Sequence, residues 1–561
     1  MLVILEDGPS ARRVYHNPRA VLSAQTPAEV PVVLTAIDTA LGQGRHVAGW
    51  LAYELGAALE PRLHPLARND GPLLHLGIFD PPSGEVPQPS GRAYAGPLEW
   101  EWDEAAYGRR FRQVKAYIAA GDIYQANLSF RARFAFAGDP LALYEDLRAK
   151  SGAGHCAYVD DGTRQLLSLS PELFFAQGQD GTLTARPMKG TAPRQGDDAK
   201  ARQRLAASEK DRAENLMIVD LIRNDLSRIA QTGSVGVRDL FEVETYPTLH
   251  AMVSTVSARK RVDAGAADIL RALFPCGSIT GAPKIRAMEI LRELETSRRG
   301  AYCGAIGFFA PDGSARFNVA IRTLTVTGGT GELGIGGGVV QDSKEESEYA
   351  ECRLKARFFE NTRRPLELIE TLRFENGFLR GDRHLARMAA SATLFGLPFD
   401  RDKAEQVLTD AVKDMTGPLR VRLSLDEAGA HKVVSATLPP NPSHWTWRLS
   451  PERTQSQDLL LQHKTSWREL HDREAAQAVT DEVLFRNERD EVTEGARSNV
   501  FVRRGGMLLT PPLESGVLNG CLRAELIDRK LAREERLTVK DLDGEVFLGN
   551  SLRGLIPARP A

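Results

Sequence analysis

The run Asn361-Thr362-Arg363-Arg364-Pro365 constrains this chain most, because two different periodicities meet there. A charged helical pattern ends before it, and the proline restricts both itself and the residue it follows. Beyond it, Leu368-Ile369-Glu370-Thr371-Leu372-Arg373-Phe374 begins a new alternating pattern. A chain of 561 residues also exceeds what a single hydrophobic core serves. These features predict two domains, residues 1–362 and residues 366–561.

Composition narrows the class. With 42% apolar and 26% charged residues the chain is ordinary globular material. Lys+Arg 72 against Asp+Glu 74 leaves a net charge of −2, so there is no electrostatic footprint for nucleic acid. Cys156, Cys276, Cys303, Cys352 and Cys521 are scattered and odd in number, which argues against a disulfide framework or structural zinc. Met1-Leu2-Val3-Ile4-Leu5 meets acids at Glu6 and Asp7, too soon for a signal segment. No apolar run reaches the ~20 residues that span a bilayer. The expectation is a soluble cytoplasmic protein with no membrane partner. Residues 80–97, rich in Pro, Gly and Ser, are expected to form a surface loop within the first domain.

Before the break, short strand-like runs alternate with three helices, an α/β pattern. The first helix runs from a Ser208 N-cap to about Gln231, before Gly233. The second opens at Pro283 as its first helical residue, with Ile285, Met288, Leu291 and Leu294 on one stripe. The third opens with a capping box at Ser343-Lys344-Glu345-Glu346 and runs to about Phe359. Strands are expected at 165–170, 305–309, 320–326 and 333–335. The last ~195 residues read as a smaller α+β domain.

Chemistry gathers on these elements. Asp211 and Glu214 share a helix face, as do Glu348 and Glu351, so two helices offer paired acids to a hard cation such as Mg²⁺. By spacing alone, two solvated acidic faces explain the pattern as well. Gly336-Gly337-Gly338 after a strand offers bare N–H groups to a carboxylate. Arg322, expected on a strand, offers a bidentate partner for one, or is simply a surface arginine.

The motifs GWLAYELGAALEP (49–61), SPELFF (170–175), RPMKGTAPR (186–194), KDRAENLMIVDLIRNDLSRI (210–229), TGAPKIRAMEIL (280–291), YCGAIGF (302–308) and GGGVVQDSKEESEYAEC (336–352) resemble the chorismate-utilising enzymes, the anthranilate, aminodeoxychorismate, isochorismate and salicylate synthases. The resemblance covers most of residues 1–362 and implies a two-layer α/β sandwich around a Mg²⁺–chorismate site. It makes Glu214 and Glu351 the metal ligands. Gly190, Thr191, Tyr302, Arg322, Gly336 and Gly338 become chorismate contacts, with His250 and Glu172 lining the ring and Glu172 as the acid that assists loss of the C4 hydroxyl. Gln125 stands where water-adding members carry a lysine base. Lys189 stands where anthranilate synthases carry a small residue and aminodeoxychorismate synthases a nucleophilic lysine, its amine freed by burial and a nearby cation. That branch needs ammonia. The chain shows no segment with a nucleophilic Cys and downstream His-x-Glu, so a glutamine amidotransferase subunit is the expected partner.

After residue 366, RHLARM (383–388), HKT (463–465), TEGARSNVF (493–501), GVLNGCLR (516–523) and EVFLGNSL (545–552) resemble the fold-type IV pyridoxal-phosphate (PLP) enzymes, which include aminotransferases and aminodeoxychorismate lyase. The resemblance makes Lys464 the lysine that holds the cofactor covalently and moves the proton, and Glu494 the partner of the pyridine nitrogen. Arg387, the backbone after Gly520 and Ser551 become the phosphate contacts, and pairing with a second copy is expected. The family's usual opening strand and turn are missing before Glu370-Thr371-Leu372. The fusion itself points to a lyase that consumes the first domain's product; the rival is an anthranilate synthase-like half joined to an aminotransferase, against which Lys189 speaks.

Overall fold

The computed structural model describes residues 1–6, 11–68, 70–194, 197–245 and 249–561, without the side chains of Thr191, Pro193 and Leu249. Asp7 lies outside the described residues. The chain divides into two compact units. Unit 1 comprises Met1–Pro87, Leu98–Phe134 and Tyr144–Thr362, and unit 2 comprises Gln88–Pro97, Ala135–Leu143 and Arg363–Ala561. No helix among the described residues is long and apolar enough to cross a membrane.

Unit 1 is built on two large sheets. One carries Gly281–Ala282, the strand that starts at Gln125, Thr330–Val339, Thr323–Thr327, Gln165–Ser170, His155–Asp160, Leu2–Glu6 and Arg12–His16 in that order. The other runs from Met188–Pro193 through Leu249–Arg259, Thr182–Arg186, Leu173–Gln177, Ala315–Val319 and Ala305–Phe309 to His46–Leu51, Leu74–Phe79 and Ala20–Ala24. Val3, Leu5 and Tyr15 of the first sheet pack against Trp50, Ile306 and Phe308 of the second, joining the two in one apolar layer. The helices Val30–Gly42, Glu209–Ser227 and Ala266–Leu273 cover the second sheet's other face.

The helix Glu209–Ser227 forms as its sequence dictates. Ser208 Oγ accepts the N–H of Asp211 at 3.3 Å, and Glu209 and Asp211 sit at the positive end of the helix dipole. Asn215, Ile218, Val219, Ile222 and Leu226 bury one face, which leaves Asp211 and Glu214 on the cavity side. The helix Lys284–Leu294 buries Met288, Leu291 and Leu294 as expected, with Pro283 as its N-cap rather than its first residue. The helix Glu345–Lys355 departs from expectation at its start. Its N-cap is Lys344 with no side-chain cap, because Ser343 Oγ accepts from the N–H of Val340 and donates to Glu348 at 2.6 Å. The serine is spent on the acid, so no capping box forms. Gly336, Gly337 and Gly338 lie within the strand Thr330–Val339, not after it.

Unit 2 pairs a four-stranded sheet with an eight-stranded one. The smaller sheet orders Phe378–Leu379, Leu368–Phe374, Leu419–Leu425 and His431–Thr437. In the larger, Val492–Gly495 pairs both with Glu482–Asn487 and with Asn499–Arg504, so six of its strands close into a ring.

The segment 88–97 is not a loose excursion of the first domain: Ala93–Ala95 pairs with 136–138 inside unit 2. Tyr94 is fully buried among Leu366, Leu368, Leu372 and Leu385, edge-on to Phe395 at 5.2 Å, and its hydroxyl donates to Glu427 at 3.1 Å. Arg92 Nε adds a 2.7 Å bond to Asp458. Residues far upstream thus pack into the same core as the lead into Glu370. Tyr94→Ala is expected to cost unit 2 about 3–5 kcal/mol in denaturant unfolding. A surface-loop tyrosine would cost at most about 0.5 kcal/mol.

Candidate active sites

The first site is a cavity of about 590 Å³ in unit 1, where both sheets meet the two acidic helices. Of the residues expected to line it, Lys189, Glu172, Gly190, Tyr302, Arg322, Gly336, Gly338, Glu214 and Glu351 do so, with Asp211 and Glu348 beside the metal candidates. Thr191 belongs to the strand Met188–Pro193, but its side chain lies outside the described residues. His250 is absent from the lining. It is fully buried, with Nδ1 3.0 Å from Thr245 Oγ1 and Nε2 3.4 Å from Asp198.

Glu172 is completely buried, and its Oε1 accepts from Ser278 Oγ at 2.7 Å. Burial pushes its carboxyl up to about 7, against the opposing pull of Ser278 and Lys189. Near neutral pH it therefore holds a proton that it can give away. Glu172→Gln is expected to slow the reaction at this site by about 10²–10⁴-fold. In the parent, turnover should fall as pH rises above about 7, where the acid loses its proton, and the variant's rate profile should lose that limb.

Lys189 Nζ lies 3.6 Å from Glu214 Oε2, and Lys210 holds the other oxygen of Glu214 at 3.8 Å. Acids as well as a cation thus surround the amine. A Cβ built at Gly338 would sit 3.0 Å from Lys189 Nζ, so the bare glycine makes room for the lysine. Gly190 has φ +85°, and a Cβ there would stand 2.8 Å from Asp211 Cβ, so only glycine fits.

Arg322 is not on a strand. It precedes Thr323–Thr327 with φ +48°, which turns its guanidinium into the cavity. Its carbonyl accepts the N–H of Leu169 at 3.1 Å, and desolvation of the guanidinium pushes its pKa below the arginine range. A half-buried cation facing a cavity is a ready seat for a carboxylate.

Glu348 is buried and its carboxyl raised by that burial, while Ser343 bonds it. Burial would raise Glu351 too, but Lys355 at 2.9 Å holds it below the ordinary carboxylate value. The same ammonium donates to Gly336 O at 2.9 Å, tying the acidic helix to the glycine strand. The oxygen-only donor set of Glu214 and Glu351 suits a hard cation that keeps most of its waters. Among the described residues no three acids of this cavity bring their oxygens within 4.8 Å of one another.

The second site is a cavity of about 420 Å³ in unit 2. It is lined by all five expected residues, Arg387, Lys464, Glu494, Gly520 and Ser551. Burial, with Arg468 and Arg387 nearby, pushes Lys464 down to about 8. Burial also pushes Glu494 up to about 7, and its Oε2 accepts the N–H of Leu518 at 3.1 Å. Arg387 donates twice to Glu370, at 2.9 and 2.6 Å, and to Asn519 O at 3.0 Å. Gly520 is the N-cap of the helix Cys521–Asp528, and a Cβ there would lie 2.1 Å from Asn499 Oδ1. A cationic wall, a helix N-terminus, a hydroxyl and an amine in one cavity match a phosphate-bearing aldehyde cofactor.

Sequence reasoning missed several lining groups. Arg420 and Arg422 face this cavity beside Thr371 and Val434, since cross-strand register puts Arg422 between those two residues. The R-V-R-L alternation signals a two-faced strand but not what its polar face meets. Lys210 and Lys355 line the first cavity with no signal in their sequence neighbourhood, while Ser278, which opens the loop 278–284 before a helix, meets Glu172 there.

Residues 3–361 match the chorismate binding enzyme family, and the chain belongs to it; residues 367–560 match the amino-transferase class IV family. The chain is 50% identical over 248 residues to aminodeoxychorismate synthase component 1 of Klebsiella aerogenes, across 44% of this chain and 55% of that protein. It is 42% identical over 284 residues to aminodeoxychorismate synthase of Streptomyces griseus, across 50% of this chain and 39% of that one. The chain thus spans about half the length, or less, of these relatives. In fold it is similar to anthranilate synthase component I from Streptococcus pneumoniae, with a TM-score of 0.53 at 24% identity over 64% of this chain and 89% of that one.

Proposed function

We propose that the chain makes 4-aminobenzoate for folate from chorismate in two consecutive reactions. Unit 1 aminates chorismate to 4-amino-4-deoxychorismate with ammonia from a glutamine amidotransferase partner. Unit 2 then eliminates pyruvate. The observation that carries this reading is the cavity that Lys189 and Glu172 share, an amine beside a carboxylic acid lifted to about 7.

Lys189 Nζ bonds to C2 of the ring while the C4 hydroxyl leaves as water with the proton of Glu172. Ammonia then bonds to C4 as the C2–Nζ bond breaks, which restores the lysine; one ammonia enters and one water departs. Arg322 and the bare N–H groups around Gly336 and Gly338 hold the substrate's carboxylates. Glu214 and Glu351 are the residues that would hold Mg²⁺, which supplies positive charge against a substrate carboxylate.

In unit 2, Lys464 would hold pyridoxal phosphate covalently and Glu494 would stand at its pyridine nitrogen. The bound cofactor supplies an electron sink for loss of a proton beside the substrate nitrogen. Lys464, freed when the substrate's amine takes its place, would take that proton and return it to the methylene carbon of the departing enolpyruvyl group, which leaves as pyruvate.

Incubation with chorismate, Mg²⁺, ammonium and pyridoxal phosphate, followed by mass analysis, tests both halves. 4-Aminobenzoate with equimolar pyruvate is expected. Anthranilate would overturn the first assignment, and accumulated aminodeoxychorismate would overturn the second.

A further inference from the structure

One wall of the unit 2 cavity is a chain of hydrogen bonds assembled from three distant parts of the sequence. His384 is buried on the inner face of the helix Gly381–Phe395, and both its ring nitrogens are engaged. Nδ1 lies 2.6 Å from Glu370 Oε2, and Nε2 lies 2.7 Å from Ser551 Oγ. Ser551 in turn lines the cavity.

Proton accounting along this chain has one fixed end. Burial opposes ionisation of Glu370, but Arg387 and His384 prevail and hold its carboxyl at about 2. An ionised carboxylate only accepts, so the ring nitrogen facing it carries a proton in every charge state. The other nitrogen then decides what Ser551 can do. Facing a neutral ring, Nε2 accepts, Ser551 gives it the single hydroxyl proton, and only oxygen lone pairs face the cavity. Facing a cationic ring, Nε2–H donates to Oγ and the hydroxyl proton is free to point into the cavity. A phosphate needs that donor, because lone pairs repel it.

We infer that His384 is a proton-linked positioning residue for the phosphate end of the cofactor. An anion seated against Ser551 draws a proton onto the imidazole, and the imidazolium keeps Ser551 turned as a donor.

The surrounding charges agree. Arg387, on the same helix, is paired with Glu370. Arg380, whose Nη1 reaches Ser551 O at 3.4 Å, is paired with Glu525, and Arg383 is paired with Asp528 at 2.8 Å. Cys521, from the helix whose N-terminus faces the cavity, is pushed up to about 11 by burial and stays a neutral thiol. Lys464, Arg420, Arg422, Arg468 and Arg497 also line the cavity, with Glu494 and Asp472 as its acids, and none of them touches His384 or Ser551 by a side-chain bond among the described residues. Arg387 and His384 share the single charge of Glu370, so a proton on His384 raises the net positive charge of this wall by one.

The inference rests on the proposal that unit 2 takes pyridoxal phosphate. The test titrates cofactor-free full-length protein with pyridoxal phosphate, and separately with inorganic phosphate, by calorimetry in buffers of differing ionisation enthalpy. Near pH 8 the parent is expected to take up about one more proton per site than His384→Gln, whose amide reaches the place of Nε2 beside Ser551 but cannot titrate. Phosphate affinity should fall more steeply with rising pH in the parent than in the variant, where Lys464, Glu494 and the phosphate itself still titrate. Ser551→Ala, which leaves the Glu370–His384 pair intact, should lose the extra proton as well. Equal uptake by the parent and His384→Gln overturns the inference, as does full uptake by Ser551→Ala. The visible absorbance of lysine-bound cofactor reports separately whether unit 2 takes pyridoxal phosphate. Proton-linked phosphate binding without that absorbance would sink the cofactor proposal while upholding the His384–Ser551 link.

Discussion

Lys189→Ala is expected to lower amination of chorismate by at least about 10³-fold with ammonia supplied, while the absorbance of cofactor on Lys464 stays unchanged. Removing a covalent nucleophile strips away the path itself and not a fraction of its stabilisation, so the loss should fall on kcat. Substrate binding should persist within a few-fold, since Arg322, Tyr302 and the glycine strand are untouched. The sharper comparison is Lys189→Arg. If position 189 serves only as the cationic partner of Glu214 at 3.6 Å, a guanidinium restores the pair and most of the rate. If its amine bonds to the ring, arginine fails as thoroughly as alanine. A brisk Lys189→Arg enzyme, or full product from Lys189→Ala, would remove the nucleophile from the scheme.

Much of this site is local chemistry, and local chemistry is what a sequence displays. Ser208 caps a helix because its hydroxyl reaches the N–H of a residue three positions on, and the pairing of Asp211 with Glu214 follows from helical pitch alone. The features hidden in the sequence are contacts made over long separations. Tyr94 sits in a stretch whose prolines and glycines read as loop, yet its ring fills a core built from residues beyond 365. His250 shows the same blindness at finer grain. His250 pairs across to Ala192, which lines the cavity, yet its ring lies against Thr245 and Asp198 and does not enter the lining. Arg322 reaches the cavity through a positive φ that no pattern of neighbours announces. The role of His384 depends on Ser551, 167 residues away, so a recognisable motif at 383–388 could not reveal it.

Lys464→Ala is expected to abolish the absorbance of lysine-bound cofactor and to cut pyruvate release by about 10³-fold or more, while amination by unit 1 continues within about twofold. Aminodeoxychorismate should then accumulate, separating the two chemistries within one chain. The fold should survive the change, because the backbone around position 464 carries its own bonds. Ile369 N–H donates to Lys464 O at 2.8 Å, and Ser466 N–H donates to Glu367 O at 2.8 Å. Stability should move in the opposite direction to activity. Burial pushes the Lys464 amine down to about 8, so at pH 7 the cofactor-free protein holds an ammonium that its surroundings disfavour. The shift from 10.5 corresponds to a native-state cost on the order of 3 kcal/mol. That cost is present in full below about pH 8 and fades as pH rises toward the unfolded value, because the folded amine then sheds its proton. Lys464→Met removes the charge while keeping the volume. Without cofactor it should be more stable than the parent by about 1–3 kcal/mol at pH 7, and the gap should narrow by pH 10. Parent and Lys464→Met proteins of equal stability at pH 7 would show that the amine is solvated, and would remove the physical basis for treating it as the reactive group of unit 2.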